Sequence, residues 1–242
     1  MQTIAILTDI HGNAPALQAV LNDIAKRGIK RMYCLGDTVG IGPDTDRIFE
    51  LLLEQRDIAF VCGNHDLALL RAARGEAPPP GQEAERSHHE WLARRTDPRH
   101  VARMASWPME ILTRVEQVPV LLTHYHLDPD GWFQPVDWNP STERLERQYA
   151  GHQARLVVFG HHHVVHHFTN GRRTFFNPGA LGCAHSDRPV AAYGIVTIDG
   201  DLVSAEVIEV VYDQTDLLRA YAELDVPDNT QILRIFHGRD SH

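Results

Sequence analysis

The stretch Gly160-His161-His162-His163-Val164-Val165-His166-His167 packs five imidazoles into eight positions, directly after the apolar run "RLVVF". A histidine-rich tract alone is a weak metal signal. Four other apolar runs, however, end in the same kind of residue. "IAILT" leads into Asp9-Ile10-His11, "RMYCL" into Gly36-Asp37, "IAFVC" into Gly63-Asn64-His65-Asp66, and "VPVLLT" into His124. Carboxylate, imidazole and amide oxygen together suit Mn, Fe, Zn, Co or Ni, whereas Ca and Mg prefer all-oxygen shells. One Asp or His after a strand is ordinarily a cap, a turn former or a solvated side chain. Five such clusters at equivalent places ask for a common cause. Asp9-x-His11 and His161-x-His163 put alternate residues on one side of an extended segment, so each pair could reach a single point. Glycines at 12, 36, 63 and 160 let the backbone turn and pass close to an ion.

The elements that must carry these residues follow from periodicity. "NAPALQAVLNDIAKRG" repeats apolar residues at helical spacing (Leu17, Val20, Leu21, Ile24), with Gly28 as its stop. "PDTDRIFELLLEQ" reads as a second helix, with Pro43 ahead of an acidic first turn. The resulting βαβαβ order predicts a parallel sheet covered by helices, and ligands in such sheets bind beyond the carboxyl ends of the strands. "GEAPPPG" is a loop, and 83–105 is helical with a break near Pro98. "EILTRV", "VVHHFT", "RTFFN", "YGIVTI" and "LVSAEVIEV" are further strands, punctuated by Asn170-Gly171 and Asp199-Gly200. The tail from Asp213 is helical. The expected class is α/β, a single domain over 1–242 with two sheets.

Of the 242 residues, 43% are hydrophobic and 23% charged, the balance of a globular chain. No apolar run approaches the roughly 18 residues that span a bilayer, so no membrane partner is expected. The N-terminus reads as a strand rather than a signal peptide. Cys34, Cys62 and Cys183 are odd in number and widely spaced, which points to free buried thiols and a cytoplasmic setting. A net charge of −9 argues against long nucleic acid as a partner. It leaves room for a small phosphate-bearing substrate, because bound metal inverts the local field.

The segments "DIHGN", "GDTVGIGPD", "GNHD", "LLTHYH", "GHHH" and "NPGAL", in this order, resemble the calcineurin-like metallophosphoesterase superfamily. They are closest in form to its small bacterial and archaeal phosphodiesterase-like members. The resemblance implies two mixed β-sheets packed together and flanked by helices. It also implies two divalent or trivalent transition-metal ions, with Mn the first choice and Fe, Zn, Co or Ni as alternatives. Asp9, His11, Asp37 and His163 would hold one ion. Asp37, Asn64, His124 and His161 would hold the other, with Asp37 bridging. The family's usual His-Gly is His-Tyr-His here, so His126 is the alternative to His124 and a candidate substrate contact. A hydroxide between the ions would attack phosphorus, and His65 would protonate the leaving oxygen. Asp66 either orients His65 or caps the helix that follows; Asn13 either touches phosphate or caps the first helix. Asn177 is expected to support the ligand loops. His162 points away from the ions.

The segment after Asp37 lacks the arginine with which the family's protein phosphatases grip a dianionic monoester, and Cys62 stands where a second would precede Gly63. A diester is therefore the favoured substrate, a nucleotide among the candidates. A phosphomonoesterase, protein phosphatase or dinucleoside polyphosphate hydrolase is the alternative. From another class, a non-catalytic metal-binding scaffold is the rival. A structural zinc site fits poorly, since no cysteine lies in the clusters. Tyr125, Trp132, Phe133 and Trp138 follow His124 closely, either as a lid that stacks a base or as cover for the core edge.

Overall fold

The computed structural model describes residues 1–183 and 188–238. The first half alternates as expected: β1 (Gln2–Leu7), α1 (Ala14–Lys26), β2 (Arg31–Cys34), α2 (Thr45–Leu53), β3 (Ile58–Phe60) and α3 (Asn64–Ala73). Asn13 opens α1 by accepting from the Ala16 N–H at 3.1 Å, and Gly28, at φ 72°, follows its end. A single 3-10 turn, Glu83–Glu85, leads into α4 (Arg86–Arg95), and α5 begins at Pro98 and runs to Met104. The proline sets the break because it tolerates only the first turn of a helix.

The second half holds β4 (Glu110–Val115), β5 (Val118–Thr123), α6 (Thr142–Gln148), β6 (Leu156–Val158), β7 (Val165–Thr169), β8 (Thr174–Pro178), β9 (Val190–Asp199), β10 (Leu202–Val211), α7 (Thr215–Glu223) and α8 (Asn229–His237). Two five-stranded sheets result, in the orders β10-β9-β1-β2-β3 and β4-β5-β6-β8-β7. Both are mixed. β1, β2 and β3 are parallel, while β9 joins β1 antiparallel; β5, β6 and β8 are parallel, with β4 and β7 as antiparallel edges. The β9–β10 hairpin returns to the first sheet, so the chain's last strands close the layer its first strand opened.

Alternation assigns the faces. Ile4 and Ile6 of β1, with Val196 and Ile198 of β9, meet Val120, Leu122, Leu156, Val158 and Phe176 of the other sheet in a layer closed to solvent. Ala5 and Leu7 point the other way, onto Leu17, Val20 and Leu21 of α1. The outer face of the second sheet carries Leu121, Val157 and Phe175 beneath Leu145 of α6 and Tyr149. Leu217 and Tyr221 of α7 and Ile232 of α8 pack on Ile41, Ala180 and Cys183. The result is a four-layer arrangement, helices–sheet–sheet–helices. No helix among the described residues is long and apolar enough to cross a membrane, and all three cysteines are buried and free.

The α6 helix has no counterpart among the expected elements: only Leu145 of its seven residues is buried, so it carries almost no apolar stripe. Ile6 is fully enclosed between the sheets and Leu112, on β4, is 61% exposed. Ile6→Ala should therefore destabilise by about 2–5 kcal/mol in urea unfolding, and Leu112→Ala by less than about 0.5 kcal/mol. Equal effects would contradict the inter-sheet layer as the main core.

Candidate active site

The strands β1, β2, β3, β5 and β6 deliver their following residues to one place. Asp9 Oδ1, His11 Nε2 and His163 Nε2 form one group: His11 and His163 are 2.8 Å apart, and Asp9 is 3.7 and 3.3 Å from them. Asp37, His124 and His161 form a second. There Asn64 Oδ1 lies 2.8 Å from both His124 Nε2 and His161 Nδ1, and Asp37 Oδ2 is 3.3 Å from His124 Nε2. The same Asp37 oxygen is 3.7 Å from His11 Nε2, so this carboxylate stands between the groups. All seven residues expected as ligands are thus brought together. His124 enters the cluster and His126 does not; the His126 ring packs beside Tyr149 instead.

The backbone reaches this geometry differently from the extended-segment expectation. Asp9, His11, Asp37, His161 and His163 have φ of 53°, 49°, 48°, 68° and 56°. These are left-handed conformations that L-residues seldom adopt, and they turn the ligand segments sharply off the strand ends. The glycines permit the close passage of backbone that follows. A Cβ on Gly160 would strike Thr8 Oγ1 and the Asp9 carboxylate; one on Gly63 would strike the Asp37 amide and carboxylate. Main-chain bonds lock the loops together: His11 N–H to Asp37 O at 2.9 Å, Asp9 N–H to Gly36 O at 3.1 Å, and Gly160 N–H to His124 O at 2.8 Å. Asn177 donates to Gly160 O at 2.7 Å and accepts from Gly179 N–H at 2.9 Å, bracing the His161–His163 loop.

Two expected site residues are used elsewhere. Asn13 caps α1 and spends its amide N–H groups on Gly182 O and the Tyr212 hydroxyl, each at 2.9 Å, with nothing left for a phosphate. Asp66, fully buried, accepts from the backbone N–H groups of Thr38, Val39 and Gly63 at 3.0, 3.3 and 2.9 Å. It ties the Asp37 loop to the start of α3, and its hydrogen bonds go to these backbone groups and not to the His65 ring, which corrects its catalytic assignment to a capping one. The residues that do meet His65 Nδ1 are His89, at 2.9 Å, and Glu85, at 3.5 Å. Neither was singled out in the sequence; their i, i+4 spacing at the start of an expected helix was the one available signal. His162 is buried, hydrogen-bonds to His166 at 3.0 Å and packs on Tyr125.

Two fully buried carboxylates set the electrostatics. Burial alone would raise Asp9, but the His163 charge and hydrogen bond outweigh it and hold the carboxyl at about 2. Burial alone would lower His124, but Asp37 beside it raises the imidazole to about 9. Burial, reinforced by neighbouring imidazoles, lowers His11 to about 4 and His161 to about 3, leaving both as neutral lone-pair donors. Burial likewise keeps His65 neutral. Two carboxylates, four imidazoles and one amide oxygen, with no lysine or arginine bonded to either carboxylate among the described residues, are a donor set for transition-metal ions.

A family model for the calcineurin-like phosphoesterase superfamily domain matches residues 2–201. The chain belongs to that superfamily. It is a metal-dependent phosphoric ester hydrolase by that membership. The phosphodiesterase YfcE of Escherichia coli is 26% identical over 215 residues, 84% of this chain and 91% of its own. An uncharacterized protein of Methanocaldococcus jannaschii is 49% identical over 67 residues, a stretch of only 28% of this chain and 27% of that one. A metallophosphoesterase from Sphaerobacter thermophilus has the same fold, with a TM-score of 0.75 at 23% identity over 98% of this chain and 99% of that one. So does a hypothetical protein of Pyrococcus horikoshii, with a TM-score of 0.77 at 17% identity over the full length of both chains.

A protonated His124 cannot be a ligand, so an ion must displace its proton. With the imidazole raised to about 9, that proton is bound at pH 7 and is lost as pH rises through 9. The apparent Mn(II) affinity of the metal-free protein should increase by about tenfold per pH unit between pH 7 and 9 and then level off. Titration calorimetry in buffers of different ionisation enthalpy should show about one proton released at pH 7. A pH-independent affinity over that range would contradict the His124–Asp37 pairing.

Proposed function

We propose that the chain hydrolyses phosphodiesters with two metal ions, Asp9, His11, Asp37 and His163 holding one and Asp37, Asn64, His124 and His161 the other. Manganese is the ion we expect to support turnover. Bound ions supply Lewis acidity toward a phosphoryl oxygen and lower the pKa of a water between them. The residues do the rest. Asp37 is fixed by the His65 backbone N–H, which donates to its Oδ1 at 2.8 Å from the first turn of α3. Asp9 is fixed by the Thr8 hydroxyl at 2.7 Å and the His161 N–H at 3.1 Å. His65 Nδ1 lies 2.9 Å from His89 Nε2; with His89 donating in that pair, the neutral His65 ring carries its proton on Nε2 and offers it to the leaving oxygen.

One observation carries the diester reading: the cavity above the clusters, about 690 Å3, is lined by no lysine or arginine among the described residues. A dianionic monoester would find no guanidinium clamp among those described residues, whereas a diester carries one negative charge and two organic groups. The walls suit those groups. The 126–134 segment folds back on itself, Asp128 accepting from the Asp130 and Trp132 N–H groups at 2.9 Å, and presents Trp132 and Phe133 to the cavity. Phe133 stands edge-on to His124, and Trp138 is 85% exposed at the cavity wall. Ile232, Ile235 and Phe236 of α8 form the facing side. Tyr125 is not part of the wall; it lies buried under His161 with its ring 5.0 Å away. This arrangement supports an aromatic or nucleoside ester group. The three buried thiols fit a reducing, cytoplasmic compartment.

With Mn(II), kcat/KM for bis(p-nitrophenyl) phosphate should exceed that for p-nitrophenyl phosphate by at least about tenfold, a difference of about 1.4 kcal/mol. The opposite order would replace the diester reading with a monoester one. His65→Ala should lower kcat by about 10²–10⁴ on diesters with alkoxide leaving groups, and by less with p-nitrophenoxide, which needs no proton. Trp132→Ala with Trp138→Ala should weaken a nucleotide diester by about tenfold, within the 1–3 kcal/mol of a stacked base, and leave a dialkyl ester unchanged. Equal losses on both would mean that the aromatic segment only covers the core.

A further inference from the structure

A further group of metal-type donors stands beside the two clusters, built from side chains outside the expected ligand set. His65 Nδ1 lies 2.9 Å from His89 Nε2 and 3.5 Å from Glu85 Oε2, and the last two are 3.8 Å apart. Two nitrogen or oxygen donors each about 2.0–2.1 Å from one ion, at a tetrahedral angle, lie about 3.4 Å from each other. The three separations straddle that value. They also match the Asp9 and Asp37 clusters, where donor separations run from 2.8 to 3.7 Å.

The second observation is charge. Glu85 lines the cavity that must admit an anionic ester, and the groups nearest its carboxylate are the imidazoles of His65 and His89, which burial keeps neutral and which therefore offer lone pairs and no counter-charge. No lysine or arginine among the described residues lines that cavity. A bare carboxylate there repels a phosphoester; a carboxylate covered by a cation does not. The third observation is rigidity. His89 is buried on α4, one turn from Glu85. The His65 ring rests on Gly40, where a Cβ would come within 2.7 Å of Nδ1. Both imidazoles are therefore held in place by packing, and the half-exposed Glu85 carboxylate completes the group from the solvent side.

We propose that His65 Nδ1, His89 Nε2 and the Glu85 carboxylate form a third metal site, taking a divalent transition ion such as Zn(II). Two imidazoles and one carboxylate are a ligand set for that class of ion and leave coordination positions open toward the cavity. Ligation at Nδ1 fixes the His65 ring as the Nε2–H tautomer. On the reading that Nε2 serves the leaving oxygen, the ion adds positive charge on that side, partly offset by Glu85. The site itself stands without that reading.

The test counts bound metal. Metal-stripped full-length protein is loaded with excess Zn(II), freed of unbound ion by gel filtration and analysed by plasma mass spectrometry, for wild type, Glu85→Gln, His89→Gln and Asp37→Asn. The expected result is three equivalents in wild type and two in Glu85→Gln and His89→Gln, with affinity at the third site lowered roughly 100-fold or more. Two equivalents in wild type at saturation, or three retained in both variants, would overturn the proposal; a hydrogen-bonded His65–His89 pair without an ion gives the former. Loss of one equivalent in Glu85→Gln with none in Asp37→Asn would support this site while removing the two-ion reading. Should His89→Gln disturb α4, Co(II) absorption of Glu85→Gln, altered at a half-exposed side chain, decides the matter. A visible band present in wild type and missing there supports the site, and identical spectra overturn it.

Discussion

Asp9 and Asp37 are carboxylates buried at the ends of adjacent parallel strands, and no lysine or arginine is bonded to either among the described residues. Two unpaired negative charges in such surroundings are expensive. Imidazoles relieve part of that cost in the metal-free protein, which is why His124 holds its proton so firmly. Divalent ions would relieve it further, and most other features of the site follow from placing these two carboxylates so close. The left-handed turns at the strand ends aim the side chains. The glycines at 63 and 160 remove the Cβ atoms that would push Asp37 and Asp9 away. Asp66, beneath, accepts with its carboxyl oxygens from three backbone donors and so fixes the Asp37 loop to α3.

The fold serves that point by topology more than by local stability. Parallel strands from two sheets end on the same side, so residues more than 150 positions apart in sequence, such as His11 and His163, come within 2.8 Å. The inter-sheet layer of Ile, Val and Leu makes the platform rigid. Chain beyond the strand ends then builds the cavity: the 79–88 segment, the 132–138 segment and α8 each supply a wall. These walls are connections and a terminal helix, where structures sharing a scaffold vary most.

Much of this was legible in the sequence, because strands, helix stops and metal-type residues each leave a local trace. "IAILT" followed by Asp-x-His says both strand and metal-type donor. What could not be read depends on contacts across the chain. Asn13 was compatible with a phosphate contact or a cap, and only the position of Gly182 and Tyr212 shows how its amide is used. Asp66 sits next to His65 in sequence, but the helical turn sends its carboxylate down toward Thr38 and Val39. Glu85 and His89 looked like ordinary helix residues until α4 packed against α3. Asp9 and His11 do reach one cluster, but His161 and His163 reach two different ones, and left-handed turns rather than an extended strand aim all four.

The most direct test of the central claim is an anomalous difference map from crystals of the protein grown or soaked with Mn(II), collected near the manganese edge. The account predicts two peaks, one on each side of the Asp37 carboxylate and about 3.5–4 Å apart, the first against Asp9, His11 and His163 and the second against Asn64, His124 and His161. A single peak, or none, between these side chains would contradict it.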